Sequence, residues 1–163
     1  MSLLITGGAG YIGSHIAEQL VKKKINNIYI LDNLSTGHKK LINQKTNFIK
    51  GDIKNLNLLK KIIKKHTIRT IIHLAAHLNV SEAEKEKVKY YKNNVTGTKN
   101  LLLACKNSNV RNIIFSSSCS VYGSVKGGVN EQSKTRPESY YALTKLKGEE
   151  LIKHYSKKFT YYI

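Results

Sequence analysis

Tyr141 and Lys145 stand four residues apart, a spacing that puts a phenol and an ammonium on one face of a helix. A cation beside a phenol favours phenolate and brings it toward the range of a working general base. Upstream, the serine run Ser116-Ser117-Ser118 ends in a hydroxyl, that of Ser118, able to hydrogen-bond a reacting group and relay its proton. Tyr122 and Lys126 repeat the four-residue separation, but Gly123, Gly127 and Gly128 place them in a loop, and the match is read as chance.

A proton-handling set needs a partner that handles electrons, and the start of the chain supplies its seat. Leu3-Leu4-Ile5-Thr6 is a short apolar strand running into Gly7-Gly8-Ala9-Gly10-Tyr11-Ile12-Gly13 and then a helix. Gly8-x-Gly10-x-x-Gly13 fits a dinucleotide turn: one glycine for the tight turn, one for close approach to pyrophosphate, one for packing the helix on the strand. The helix beginning near Tyr11 then presents free N–H groups and its positive dipole end to phosphates. A second strand, Ile28-Tyr29-Ile30-Leu31, ends in Asp32, 19 residues past Gly13. An acid there accepts both ribose hydroxyls of adenosine and repels a 2′-phosphate, which favours NAD over NADP.

The elements that position these groups alternate along the chain, the pattern of a doubly wound parallel α/β sheet of Rossmann type. The first helix carries Ile12, Ile16, Leu20 and Val21 at helical spacing. A third strand is expected over Asn47–Lys50, followed by a helix with Leu56, Leu59, Ile62 and Ile63. A fourth covers Thr70–Leu74, apolar throughout as a strand covered on both faces should be. One long helix is expected from Lys89 to Ser108 with Val95, Leu102 and Leu103 inward, then a fifth strand over Asn112–Phe115. The last helix spans Ser139 to Ser156, and Phe159–Ile163 begins a sixth strand in which the chain stops. This ending reads as a truncation, because a central strand cut short leaves backbone groups unpaired. Residues 1–163 are thus expected to form one incomplete NAD-binding domain.

The charge is strongly positive: 28 Lys and Arg against 10 Asp and Glu give +18. The lysines are spread over outer helix faces (Lys22 to Lys24, Lys60, Lys61, Lys64, Lys65, Lys85, Lys87, Lys157, Lys158), and only Arg69, Arg111 and Arg136 are arginines. Such scatter reads as solvated surface and argues against a nucleic-acid partner. Cys105 and Cys119 lie in no metal-ligand or disulfide pattern; both are expected to be buried, reduced thiols, and no metal is expected. With no signal peptide, lipidation signal or apolar run of membrane length, a soluble cytoplasmic protein with no membrane partner is the expectation.

The motifs Gly7 to His15, Asp32-Asn33-Leu34-Ser35-Thr36-Gly37-His38, Gly51-Asp52-Ile53, His73-Leu74-Ala75-Ala76, Asn93-Asn94-Val95 with Gly97-Thr98, Phe115 to Ser118 with Val121-Tyr122-Gly123, and Tyr141 with Lys145 span the whole chain. Together they resemble the extended short-chain dehydrogenases/reductases of the NAD-dependent epimerase/dehydratase type. The resemblance implies that Gly7, Gly8, Gly10, Tyr11, Ile12, Gly13, Asp32, Asn33, Thr36, Gly37, Asp52, Ile53, Leu74, Ala75, Ala76 and Asn93 form the NAD site. It implies Ser118, Tyr141 and Lys145 as the catalytic set of a sugar-nucleotide 4-epimerase.

By the same resemblance the substrate is a UDP-hexose, UDP-glucose and UDP-galactose before UDP-glucuronate or UDP-N-acetylglucosamine. Most of its site would lie in a carboxyl-terminal half, so residues 1–163 alone are expected to be inactive; a homodimeric full-length parent is left open. Two positions depart from the pattern: Leu78 stands where a lysine often contacts the cofactor, and Tyr140 where a proline usually precedes the tyrosine. A 4,6-dehydratase would follow the serine with an acid pair, whereas Ser118 is followed by Cys119-Ser120. A non-catalytic NAD-binding module would keep Gly8, Gly10, Gly13 and Asp32 but have no use for Ser118, Tyr141 and Lys145 together.

Overall fold

The computed structural model describes residues 2–156 and 159–163, so the expectation for Lys157 and Lys158 lies outside the described residues. Six parallel strands, β1 (Leu3–Thr6), β2 (Ile28–Asp32), β3 (Asn47–Lys50), β4 (Thr70–His73), β5 (Asn112–Phe115) and β6 (Thr160–Tyr162), form one sheet in the order 3-2-1-4-5-6. The sequence order reverses between β1 and β4, and it is outside the carboxyl ends of strands at such a switch that open α/β sheets take ligands. The expected fold class is therefore the observed one.

Strand alternation explains the two cores. Leu3 and Ile5 pair with Ile28 and Ile30 on one face, packed under α1 (Tyr11–Lys22) through Ala17 with Ile16, Leu20 and Val21. Leu4, Leu31, Ile71 and Ile113 point to the other face, covered by α2 (Leu56–Lys65), α5 (Thr98–Cys105) and α6 (Tyr140–Tyr155). The wholly buried β1 and β4 read as apolar runs for this reason.

Several expectations need correction. Ile12 is not a core residue: it is 57% exposed, because the buried stripe of α1 begins at Gly13 and Ser14, small enough to lie against the glycine turn. The loop after β4 holds a short helix, α3 (Val80–Lys85), not foreseen from the sequence and capped by the Asn79 side chain accepting from the Glu82 amide. The long helix begins earlier, as α4 (Lys87–Tyr90), and passes through a π-helical stretch over Tyr91–Gly97 before α5. That stretch rotates the inward face, so Leu101 and Leu102 are buried while Leu103 is half-buried. The named lysines from Lys22 to Lys87 are exposed as expected. Cys105 is buried, and burial pushes its thiol up to about 12, whereas Cys119 is exposed because it sits in a one-turn 3-10 helix (Cys119–Tyr122) and not in a strand. Among the described residues, no helix is long and apolar enough to cross a membrane.

Candidate active site

A cavity of about 290 Å3 opens at the carboxyl edge of the sheet, between the ends of β1, β2 and β4 and the start of α6. Its floor is the glycine turn. Gly7 takes φ of +76°, a conformation that side chains disfavour, and a Cβ there would stand 2.7 Å from the Ala75 amide nitrogen. The tight turn is therefore made by Gly7, outside the expected three-glycine spacing. Gly8, expected in the cofactor site, does not line the cavity; a Cβ on it would meet the Ile30 side chain at 2.7 Å, so its role is packing on β2. Gly13 brings α1 against the Gly7 carbonyl and the Gly8 backbone, while Gly10, with only the Gly7 oxygen at 3.3 Å, leaves its bare side toward the cavity. The first backbone bond of α1 runs from the Ser14 amide to the Gly10 carbonyl, so the amides of Tyr11, Ile12 and Gly13 are the free donors of the helix start.

Asp32, buried at the tip of β2, accepts the Ala9 amide on Oδ2 at 3.0 Å and the Leu34 amide on Oδ1 at 2.8 Å. Asn33 donates to Asp52 Oδ2 at 3.0 Å, joining the ends of β2 and β3 on the same wall. Burial alone would raise the Asp52 carboxyl, but the Lys54 amide, the Asn33 amide and the Lys54 ammonium outweigh it and hold it below the usual carboxylate range.

On the far wall stand Tyr141 and Lys145. Ser139 caps α6 by accepting the Ala142 amide at 3.1 Å. Gly148 lets the helix lie against the Phe115 ring at the end of β5. Tyr140, in place of the expected proline, donates its amide to Glu84 at 2.6 Å, a bond proline has no hydrogen to make.

Asn94 ties this helix to the rest of the wall. Its side chain donates to Thr144 Oγ1 at 3.1 Å and the His77 carbonyl at 3.0 Å, and accepts the His77 amide at 2.8 Å; Thr144 in turn donates to the Tyr141 carbonyl at 2.7 Å. Behind it, Thr98 donates to the Asn94 carbonyl, so His73 Nε2 must donate to Thr98 and His73 Nδ1 must accept from Thr6. The fully buried His73 is thereby held neutral, and burial lowers its pKa to about 3.

Lys145 lines the cavity with its ammonium 4.5 Å above the Phe115 ring; burial lowers it to about 8 against the opposing pull of Glu149. Tyr141 departs from expectation. Burial raises its phenol above the ordinary value, the Ser118 hydroxyl lowers it only in part, and Cys119 adds to the rise. Ser118 stands beside the phenol but does not line the cavity; its Oγ lies 2.8 Å from Ser120 Oγ.

All the expected cofactor residues except Gly8 line this one cavity, together with Tyr141 and Lys145. Missing from the expected site were Leu31, Ser35, Gly51, His77, Ser116 and Ser117 on the wall, and Asn94 behind it; only the adjacency of Asn93-Asn94 to Gly97-Thr98 hinted at the last. Leu78, the departure from the lysine pattern, is on the wall and 64% exposed. The tyrosine of the loop match, Tyr122, lies on neither wall.

A cavity where the strand order reverses, floored by a glycine turn and a helix start, defines a Rossmann-type nucleotide-binding domain. More narrowly, residues 3–163 match the model of the NAD dependent epimerase/dehydratase family, and the chain belongs to that family. It is 41% identical over 153 residues to the UDP-glucose 4-epimerase of Lactobacillus helveticus, covering 93% of this chain and 46% of that relative. The crystal structure of UDP-glucose 4-epimerase from Brucella ovis in complex with NAD superposes with a TM-score of 0.92 at 36% identity, over 98% of this chain and 50% of the other. The enzyme of Thermotoga maritima with UDP-glucose also gives 0.92, at 29% identity, over 99% and 54%. The chain thus spans about half the length of these relatives.

Proposed function

We propose that this chain is the NAD-binding part of a UDP-glucose 4-epimerase, working as a soluble cytoplasmic enzyme. The observation that carries the reading is the meeting of Asp32, Tyr141 and Lys145 on one cavity at the switch of strand order. The residues fit the cofactor: Gly10 leaves room for a pyrophosphate that a Cβ would fill, and the buried Lys145 ammonium, on the cavity wall, would be a donor for a ribose hydroxyl. The relatives crystallised with NAD and with UDP-glucose support the same assignment.

When bound, NAD supplies a hydride acceptor and donor beside the sugar. The chain's own residues do the rest. The helix start near Tyr11 and the glycine turn would hold the pyrophosphate, and the Asp32 carboxylate would receive ribose hydroxyls. Tyr141 takes the proton of the sugar 4-hydroxyl and returns it after the resulting 4-keto sugar has turned over. Ser118, beside the phenol, hydrogen-bonds that hydroxyl and relays the proton. Lys145, on the same cavity wall, is assigned to stabilising the phenolate, and the positively charged ring of bound NAD would favour that form too.

Because hydrogen leaves and returns to the same carbon, the protein carrying this chain should convert UDP-[4-2H]galactose to UDP-[4-2H]glucose with the label retained. Loss of the label to water, or no conversion, contradicts the reading. Conversion of UDP-N-acetylglucosamine at a much higher kcat/KM would transfer the proposal to that substrate.

A further inference from the structure

Lys145 is the one lysine among the described residues that is buried, and Glu149 the one buried glutamate. They lie one turn apart on α6, both in an interior where an isolated charge is expensive. Yet no ion pair joins them. The Ser117 hydroxyl donates to Glu149 Oε1, and Glu149 Oε2 faces the exposed Lys153 ammonium at 3.7 Å. On its side, the Lys145 ammonium stands over the Phe115 ring and lines the cavity. A direct contact would have drawn the ammonium back along the helix. Instead the carboxylate is held from the loop after β5 by Ser117, itself on the cavity wall, and from α6 by Lys153.

We propose that Glu149 is a positioning residue for Lys145, latched by Ser117 at a distance that preserves the ammonium's charge while leaving it free to face a ligand. This deepens the assignment of Lys145 made above and rests on it for its functional meaning. The groups around the ammonium divide simply. From β4 comes His73, neutral and fully buried; from β5, the Phe115 ring; from α6, Tyr141 and, beyond the carboxylate, Lys153. Glu149 is the one anion among them, so it alone opposes the loss of the Lys145 proton that burial promotes.

The test is the titration of Lys145 in the chain labelled with [ε-13C]lysine, its signal assigned by its loss in Lys145→Met. Wild type should show a midpoint near 8. Glu149→Gln keeps the shape and the acceptor for Ser117 but removes the charge, and should lower the midpoint by about one unit or more, a tenfold easier deprotonation. Glu149→Asp should restore most of the shift. Ser117→Ala releases Glu149 toward Lys145 and should raise the midpoint by about half a unit. A Lys145 midpoint that stays put in Glu149→Gln overturns the proposal; if that variant does not fold, the absence of a rise in Ser117→Ala overturns it instead. Neither arm needs a bound nucleotide. Unchanged nucleotide binding in Lys145→Met would therefore count against the functional assignment while leaving the electrostatic coupling standing.

Discussion

The Ala9 amide donates to Asp32 Oδ2 at 3.0 Å, so the carboxylate at the tip of β2 is fixed against the glycine turn at the tip of β1. In the proposed assignment, a nucleotide held by the turn at its phosphates would meet the acid at its ribose. Asp32→Ala leaves the buried amide of Ala9 and the half-buried amide of Leu34 without their acceptor and should cost about 1–3 kcal/mol of stability in urea unfolding. It should also narrow the preference for NAD over NADP in a binding titration. An unchanged preference would remove Asp32 from the ribose site.

Within the Gly8–Gly13 turn, Gly8 and Gly13 pack and Gly10 leaves room. Gly13→Ala drives a methyl into the Gly7 carbonyl and should destabilise the chain by about 1–3 kcal/mol. Gly10→Ala, whose nearest neighbour is 3.3 Å away, should change stability far less yet weaken NAD binding at least tenfold. Thermal unfolding beside calorimetric titration of both variants checks the split; equal losses of stability would contradict it.

Tyr141→Phe removes one hydroxyl and no packing surface. In the protein carrying this chain it should lower turnover of UDP-galactose by the ~102-fold or more typical of a lost general base, while Tyr122→Phe costs much less. Equal activity of the two variants would mean the phenol of Tyr141 is not the base.

His73 carries an acid sensitivity. Its pKa is about 3 in the fold against an ordinary 6.5, so between those values the unfolded chain binds the extra proton. The fold is unpenalised above pH 6.5 and should lose about 1.4 kcal/mol per pH unit from this group as pH falls through the window. His73→Gln should abolish that slope, though at lower overall stability. Parallel slopes in the two proteins would show that His73 does not stay neutral.

The parallel α/β sheet, the strand positions, and Gly10, Gly13 and Asp32 on the cavity wall were legible from local pattern: apolar runs, glycine spacing, an acid at a strand end; most of the other cavity residues followed from the family resemblance, and the order of the strands in the sheet from neither. What escaped depends on tertiary contacts. The π-helical stretch over Tyr91–Gly97 leaves no mark in hydrophobic period, yet it places Asn94 where its amide can join the His77 loop to α6. The raised phenol of Tyr141 escaped for a similar reason, since spacing reports a neighbouring lysine but not the burial that opposes it. Cys119 was misread because a serine-rich strand end and an exposed turn look alike in sequence.

In the proposed reading, one cavity seats NAD between the glycine turn, Asp32 and the Tyr141–Lys145 pair. That seating is tested most directly by purifying the protein carrying this chain, denaturing it, and identifying the released nucleotide by mass. NAD or NADH as the dominant species is the predicted result; NADP or NADPH in its place would contradict the account.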